Sequence, residues 1–171
     1  AAPLWNRASP TGTYTPYSSS TAKGNMGQPN GTSLLCLSCH DGTIAPGELL
    51  SRGATKVPML GVTATGMLPS TSSSMLGRDL SDDHPISIAY TAALATGSGG
   101  ELASPATLTG KIKLDASGQM QCSSCHDPHD NTIDKFLVMS NTASALCVTC
   151  HTKAGWSTSS HATSPATWTA T

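Results

Sequence analysis

Apolar residues occur in short runs that Gly, Pro, Ser and Thr break every few positions, so the pattern predicts mostly coil with a few short elements. Residues 1–33 read as an extended, turn-rich arm punctuated by Pro3, Pro10, Pro16, Gly24, Gly27, Pro29 and Gly31. Trp5, Tyr14 and Tyr17 are spaced along it as anchors that lie against the arm's own domain or a neighbouring subunit. Around Leu34-Leu35-Cys36 to His40 the pattern allows a short helical turn at most, and residues 41–81 look irregular. A modest helix is expected over Ile86–Thr96, after Pro85 and before Gly97-Ser98-Gly99-Gly100. Lys111–Leu114, a turn at Asp115–Gly118 and Gln119–Gln121 read as a small β-hairpin. The strongest helix signal runs from Thr142 to His151 with Asn141 as N-cap. A Ser/Thr-rich tail, residues 152–171, follows and carries Trp156, His161 and Trp168. No internal boundary stands out, so one domain over 1–171 is expected. No apolar run approaches the roughly 18 residues of a membrane span.

Composition deepens a problem that the pattern raises. Only 4% of the 171 residues are aromatic, with Phe136 the single phenylalanine, and 37% are hydrophobic. Such a chain has few large side chains with which to offset the entropy of ordering itself. Something other than side chains has to supply a core. Charged residues make up 11% and the formal net charge is −1, with no basic stretch to track phosphates, which argues against nucleic acid as a partner. The opening Ala1-Ala2-Pro3 reads as a mature end left by signal-peptide cleavage at small residues.

The six cysteines resolve the difficulty. Cys-x-x-Cys-His occurs three times, as Cys36/Cys39/His40, Cys122/Cys125/His126 and Cys147/Cys150/His151, and these motifs consume every cysteine in the chain. This is the attachment signature of c-type haem. Two thiols three residues apart on a helical turn reach the two vinyl groups of one porphyrin, and the adjacent histidine presents its imidazole to the iron. Zinc sites and disulfides also use cysteine pairs, but neither requires a histidine directly after each pair. The expected cofactor is therefore haem c, three groups covalently attached. The expected fold is mostly irregular coil with a few short helices and a small β-hairpin, organised around those haems. Their propionates make the loaded protein more acidic than the sequence.

A six-coordinate haem takes a second axial ligand, commonly His or Met. Beyond His40, His126 and His151, three histidines remain: His84, His129 and His161, one for each haem. The count favours bis-His ligation and low reduction potentials. His84 sits in Asp82-Asp83-His84-Pro85, where a carboxylate is expected to orient Nδ1. His129 follows His126 by three residues, too close to swing to the opposite face of the same haem, and so should serve a different one. The six methionines read as packing residues before ligands. Spacing does not assign a distal histidine to a particular haem.

The segments Leu35–Thr43, Asp79–Ser87, Gln121–His129 and Cys147–His151, with Trp156 and His161 beyond, resemble multihaem c-type cytochromes of metal-reducing bacteria, including extracellular cytochrome nanowire subunits. The resemblance implies that His84 and His129 are distal ligands, and that the protein is a periplasmic or extracellular electron carrier with a non-enzymatic role. In filaments of that kind, a histidine of one subunit can complete a haem in the next. Three haems are fewer than the better-known filament subunits carry.

The expected activity is electron transfer, to other redox proteins or extracellular acceptors. The chain is expected outside the cell, with the periplasm as alternative, and as a homo-oligomeric filament, with a monomeric shuttle as alternative. A reductase of small oxyanions or sulfur compounds would need a haem with an open axial position, which the equal numbers of haems and spare histidines disfavour.

Overall fold

The computed structural model describes residues 5–164, so Trp168 lies outside the described residues, as does the side chain of His161. The chain divides into two compact units. The first comprises Ala1–Ile88 and Gln119–Cys122, the second Ala89–Gly118 and Ser123–Thr171.

The first unit is built on α1, Gly31–His40. Leu37, only 1% exposed, packs with buried Tyr14 and Leu80, and Leu34 and Ile86 flank this cluster. The arm is ordered against it. The N–H of Thr15 donates to the Arg78 carbonyl (2.9 Å) and that of Leu80 to the Thr15 carbonyl (2.8 Å), a short parallel bridge. The Tyr14 hydroxyl donates to Asp41 Oδ2 (2.7 Å), and its backbone is fastened to the Gln28 amide through both N–H and C=O. The Arg7 guanidinium donates to the carbonyls of Ser38 (2.7 Å), Ala45 (3.1 Å) and Glu48 (3.2 Å), and so ties the arm to the last turn of α1. Of the expected anchors, Tyr14 is thus buried, whereas Trp5 is 44% exposed. Beyond α1 the chain loops irregularly to residue 87, apart from a 3-10 turn at Leu50–Arg52. Gly47 is required by close approach, because a Cβ there would meet the Val57 carbonyl oxygen at 2.0 Å.

Helix α1 is longer than the expected single turn. Pro29 and Gly31 argued for coil, yet they stand at its start. Asn30 is extended and makes no capping bond, because its Oδ1 accepts from the Gln121 amide instead (3.0 Å).

Two strands, β1 (Ile88–Ala89) and β2 (Gln119–Met120), form the small antiparallel sheet. The expected hairpin partner of β2 was Lys111–Leu114, and the structure corrects this. The turn at Asp115–Gly118 does form, with the Gly118 N–H on the Asp115 carbonyl (2.9 Å) and Asp115 Oδ1 accepting from Ser117 N–H (2.8 Å). Ile88 and Met120 are both buried, and that shared burial selects the pairing.

In the second unit, α2 spans Ala92–Gly97 and is capped by the Thr91 hydroxyl on the Leu94 N–H (3.1 Å). The helix expected from Ile86 therefore starts later, since residues 88–89 are in β1. Buried Tyr90 donates its hydroxyl to the Ala103 carbonyl (2.8 Å). Helix α3, Cys122–Cys125, starts on the last residue of the first unit and continues in the second. The helix expected over Thr142–His151 is broken: Thr142–Ser144 is a 3-10 turn and α4 is Ala145–Val148. Ala143 and Ser144 adopt φ of 51° and 61°, left-handed values that no helix accommodates. Asn141 Oδ1 nevertheless accepts from the Leu146 N–H (3.2 Å), at the start of α4. A final turn, α5 (Ser160–Thr163), is capped by Ser159 on the Ala162 N–H (3.2 Å). No described helix is long and apolar enough to cross a membrane.

Candidate haem-attachment sites

The first motif occupies the second half of α1. Cys36, Cys39 and His40 stand at i, i+3 and i+4 and so share one face of the helix. The His40 ring is set by its surroundings. Its Nδ1 lies 2.7 Å from the Ser74 carbonyl, and its own carbonyl accepts from the Leu76 N–H (2.7 Å). A carbonyl only accepts, so Nδ1 carries the proton and Nε2 presents its lone pair, the tautomer an iron ligand needs. Asp41, directly after His40, is buried, and its Oδ1 accepts from the N–H (2.8 Å) and hydroxyl (2.7 Å) of Thr43.

The second motif begins on α3, and His126 lies just past it. A short antiparallel bridge pairs His126 with Leu137: the Asp127 N–H donates to the Phe136 carbonyl (2.8 Å) and the Val138 N–H to the Cys125 carbonyl (2.9 Å). His126 Nδ1 lies 2.9 Å from the Lys135 carbonyl, the arrangement already seen at His40. Lys135 and Phe136 hold φ of 57° and 59° to make this turn. Left-handed backbone at two successive non-glycine residues costs free energy and persists where the surroundings over-determine it.

The third motif starts on α4 and continues through a turn in which the N–H groups of Cys150 and His151 both donate to the Cys147 carbonyl (3.2 and 2.9 Å). Backbone pairing fastens it to residues 100–103. The Ala103 N–H donates to the Cys150 carbonyl (2.8 Å) and the Thr152 N–H to the Glu101 carbonyl (3.0 Å). Cys150 is buried, which pushes its thiol pKa up, whereas Cys147 is exposed.

No disulfide joins the cysteines, and no group of three or more His, Cys, Asp or Glu among the described residues is placed to hold a metal ion. Cys36, on α1, and Cys122, at the start of α3, lie close enough for their thiols to act on each other. Contact with Cys36 pulls the Cys122 pKa down to about 7, while that same contact, with burial, pushes Cys36 up.

The remaining histidines sit in different surroundings. His84 Nδ1 is 2.9 Å from the Pro85 carbonyl, so a backbone oxygen occupies the place expected for the Asp82 or Asp83 carboxylate. His84 borders an apolar pocket lined by Pro16, Tyr17, Met26, Leu80 and Ile86, which brings the arm's second tyrosine to a histidine. At His129 a carboxylate is near: Asp127 Oδ1 lies 3.5 Å from Nδ1 and accepts from the His129 backbone N–H (3.0 Å), with the side chain 92% exposed. His161 belongs to α5 by its backbone. The sequence reading missed the carbonyl partners supplied by Ser74, Lys135 and Pro85, which have no side-chain signature.

Residues 116–155, holding the second and third motifs, match the doubled CXXCH motif family. That match spans under a quarter of the chain and leaves the first motif outside it. No curated protein matches the chain. The doubled motif supports a multihaem c-type cytochrome with covalently bound haem. The residues present fit such a group: Cys36, Cys39 and His40 share one helical face, and the His40 and His126 rings are each held at Nδ1 by a backbone carbonyl.

Proposed function

We propose that the chain is a trihaem electron carrier, with one haem on each motif. Cys36 and Cys39, Cys122 and Cys125, and Cys147 and Cys150 form the thioethers. His40, His126 and His151 are the proximal ligands, and His84, His129 and His161 the distal ones. The observation that carries this reading is the repeated fixing of the motif histidine: both His40 and His126 have Nδ1 on a backbone carbonyl, that of Ser74 in one motif and of Lys135 in the other.

Haem supplies a one-electron Fe(III)/Fe(II) couple. The protein's part is to hold each imidazole in one orientation and to keep ligation unchanged between oxidation states. The Ser74 and Lys135 carbonyls raise the basicity of their histidines and favour the oxidised iron. With every iron doubly ligated there is no open position for a substrate, and the role is electron transfer without catalysis. Partners are then other redox proteins or extracellular acceptors, and the chain acts outside the cell. Exposed Trp5, Leu50, Met59 and fully exposed Leu60, all in the first unit, favour burial against further copies in a filament.

Intact-mass measurement of the exported protein, with its reduced pyridine haemochrome, tests this directly. Three covalent haems and a low-spin spectrum are expected. A colourless protein, or a high-spin five-coordinate signal, overturns the assignment. Negative-stain images of filaments support assembly, and a monomer at all concentrations refutes it.

A further inference from the structure

We propose that Gln121 is a positioning residue that holds the first two haem attachment points against each other and thereby sets electron exchange between their haems. This rests on the reading of Cys36 and Cys122 as attachment points. Gln121 immediately precedes Cys122 and is 1% exposed. Its Oε1 accepts from the Ser33 hydroxyl (2.5 Å), the Ser33 N–H (3.3 Å) and the Ser87 hydroxyl (3.2 Å). Its Nε2 donates to Asn30 Oδ1 (3.0 Å) and Gln119 Oε1 (3.2 Å). Ser33 and Ser87 are themselves buried, and the Ser33 oxygen also accepts from the Cys122 N–H (3.0 Å). The Asn30 N–H donates to the Ser87 hydroxyl (2.9 Å). All these residues belong to the first unit.

A buried amide with its donors and acceptor matched fixes geometry more tightly than apolar packing, because each displacement strands a polar group away from water. Here the fixed geometry is that of the first turn of α1, three residues before Cys36, against the backbone of Cys122. The Cys36 and Cys122 thiols lie close enough to act on each other. Haem attachment consumes both thiol hydrogens: each S–H adds across a vinyl group, sulfur to carbon and hydrogen to the neighbouring carbon. The thioethers have no S–H with which to hold each other, whereas the amide network is untouched. In the loaded protein the separation of the two sulfurs, and of the haem edges bonded to them, therefore rests on Gln121. Positions of this kind lose function when the supporting groups are about 1 Å too loose.

The test uses the loaded protein and compares Gln121→Leu with wild type by circular dichroism in the Soret band, where nearby haems give a two-signed couplet, together with haem content by mass. Full haem content with the couplet reduced by about half or more is expected. Ser87→Ala and Asn30→Ala each remove one arm of the network, are milder, and should weaken the couplet in the same direction if Gln121→Leu does not fold. An unchanged couplet in the folded variants, at full haem content, overturns the proposal. A wild-type protein lacking haem on Cys36 or Cys122 instead overturns the attachment reading on which it stands, and mass mapping separates the two results.

Discussion

In the first unit, Leu37 lies between the two attachment cysteines of its motif and is packed into a cluster with Tyr14 and Leu80. In the second, the third motif is held mainly by backbone, through the pairing of residues 150–152 with 101–103 and the Tyr90 hydroxyl on the Ala103 carbonyl. Buried apolar residues of the second unit, such as Ile112, Val138 and Tyr90, form no cluster among the described residues. The first unit thus has a side-chain core of its own, small as it is. The second has turns, caps and short bridges, each contributing little net free energy in water. The difference shows two ways of holding one motif: on a helix packed into a small side-chain core, and between backbone clamps.

The sharpest test of that contrast is Leu37→Ala. Truncating a fully buried leucine costs about 2–5 kcal/mol, from lost transfer free energy and the cavity left behind. In a cluster this small the loss should unfold the first unit selectively. Hydrogen exchange of the haem-free chain should show protection lost at the α1 amides while the second unit changes little. Equal loss in both units would break the comparison and make the molecule one cooperative body.

Two buried tyrosines, one in each unit, sharpen it further. The Tyr14 hydroxyl donates to a buried carboxylate and the Tyr90 hydroxyl to a backbone carbonyl. Tyr14→Phe removes a bond to a charged acceptor and should cost about 1.5–3 kcal/mol, whereas Tyr90→Phe should cost about 0.5–1.5 kcal/mol. Chemical denaturation monitored in each unit measures both. Both phenols have pKa values above the ordinary 10.0. Burial dominates in each case, and the Asp41 carboxylate adds to it for Tyr14. For Tyr90 the pKa is pushed up to about 12. The folded state therefore keeps its proton where the unfolded chain has lost it. The stability from this source is fully present below pH 10 and is lost as pH rises from there through about 12 for Tyr90. Tyr90→Phe should flatten the alkaline loss of the second unit and leave that of the first in place. An unaltered pH profile in the variant would remove Tyr90 from the account.

The chemistry of the sites was more legible than the shape around them. Cys-x-x-Cys-His is a local signal, since the thiols and imidazole must be neighbours on one turn, and reading the residues finds it. Helix α1 was under-read because Pro29 and Gly31 look like breakers from sequence, while the Ser33–Gln121 and Leu37–Tyr14 contacts that settle the helix join residues distant in the chain. The hairpin failed for a related reason. Turn chemistry at Asp115–Gly118 is local and was right, but the partner of Gln119–Met120 was chosen by the joint burial of Ile88 and Met120. At His84 the carboxylates beside it suggested the orienting group, and a carbonyl holds Nδ1 instead, a partner that every residue has and no sequence pattern marks. Glycine and asparagine are the usual residues at positive φ, so nothing in the sequence pointed to Lys135 and Phe136, or to the break at Ala143 and Ser144.

The smallest effect is expected where the second unit's clamp is ionic. Lys153 Nζ lies 2.7 Å from Glu101 Oε1, across the same paired segments that hold Cys150 and His151, with the lysine side chain 71% and the glutamate side chain 45% exposed. A pair so exposed contributes about 0.2–1 kcal/mol, and salt screens it further. Lys153→Ala should therefore lower the stability of the second unit slightly at low salt and indistinguishably at high salt, with the haem content of the third motif unchanged. The backbone bonds between Glu101 and Thr152, and between Ala103 and Cys150, survive the substitution. Should Lys153→Ala instead strip the third motif of haem, the ion pair and not the backbone would be the clamp, and the contrast between the units would become one of charge against packing.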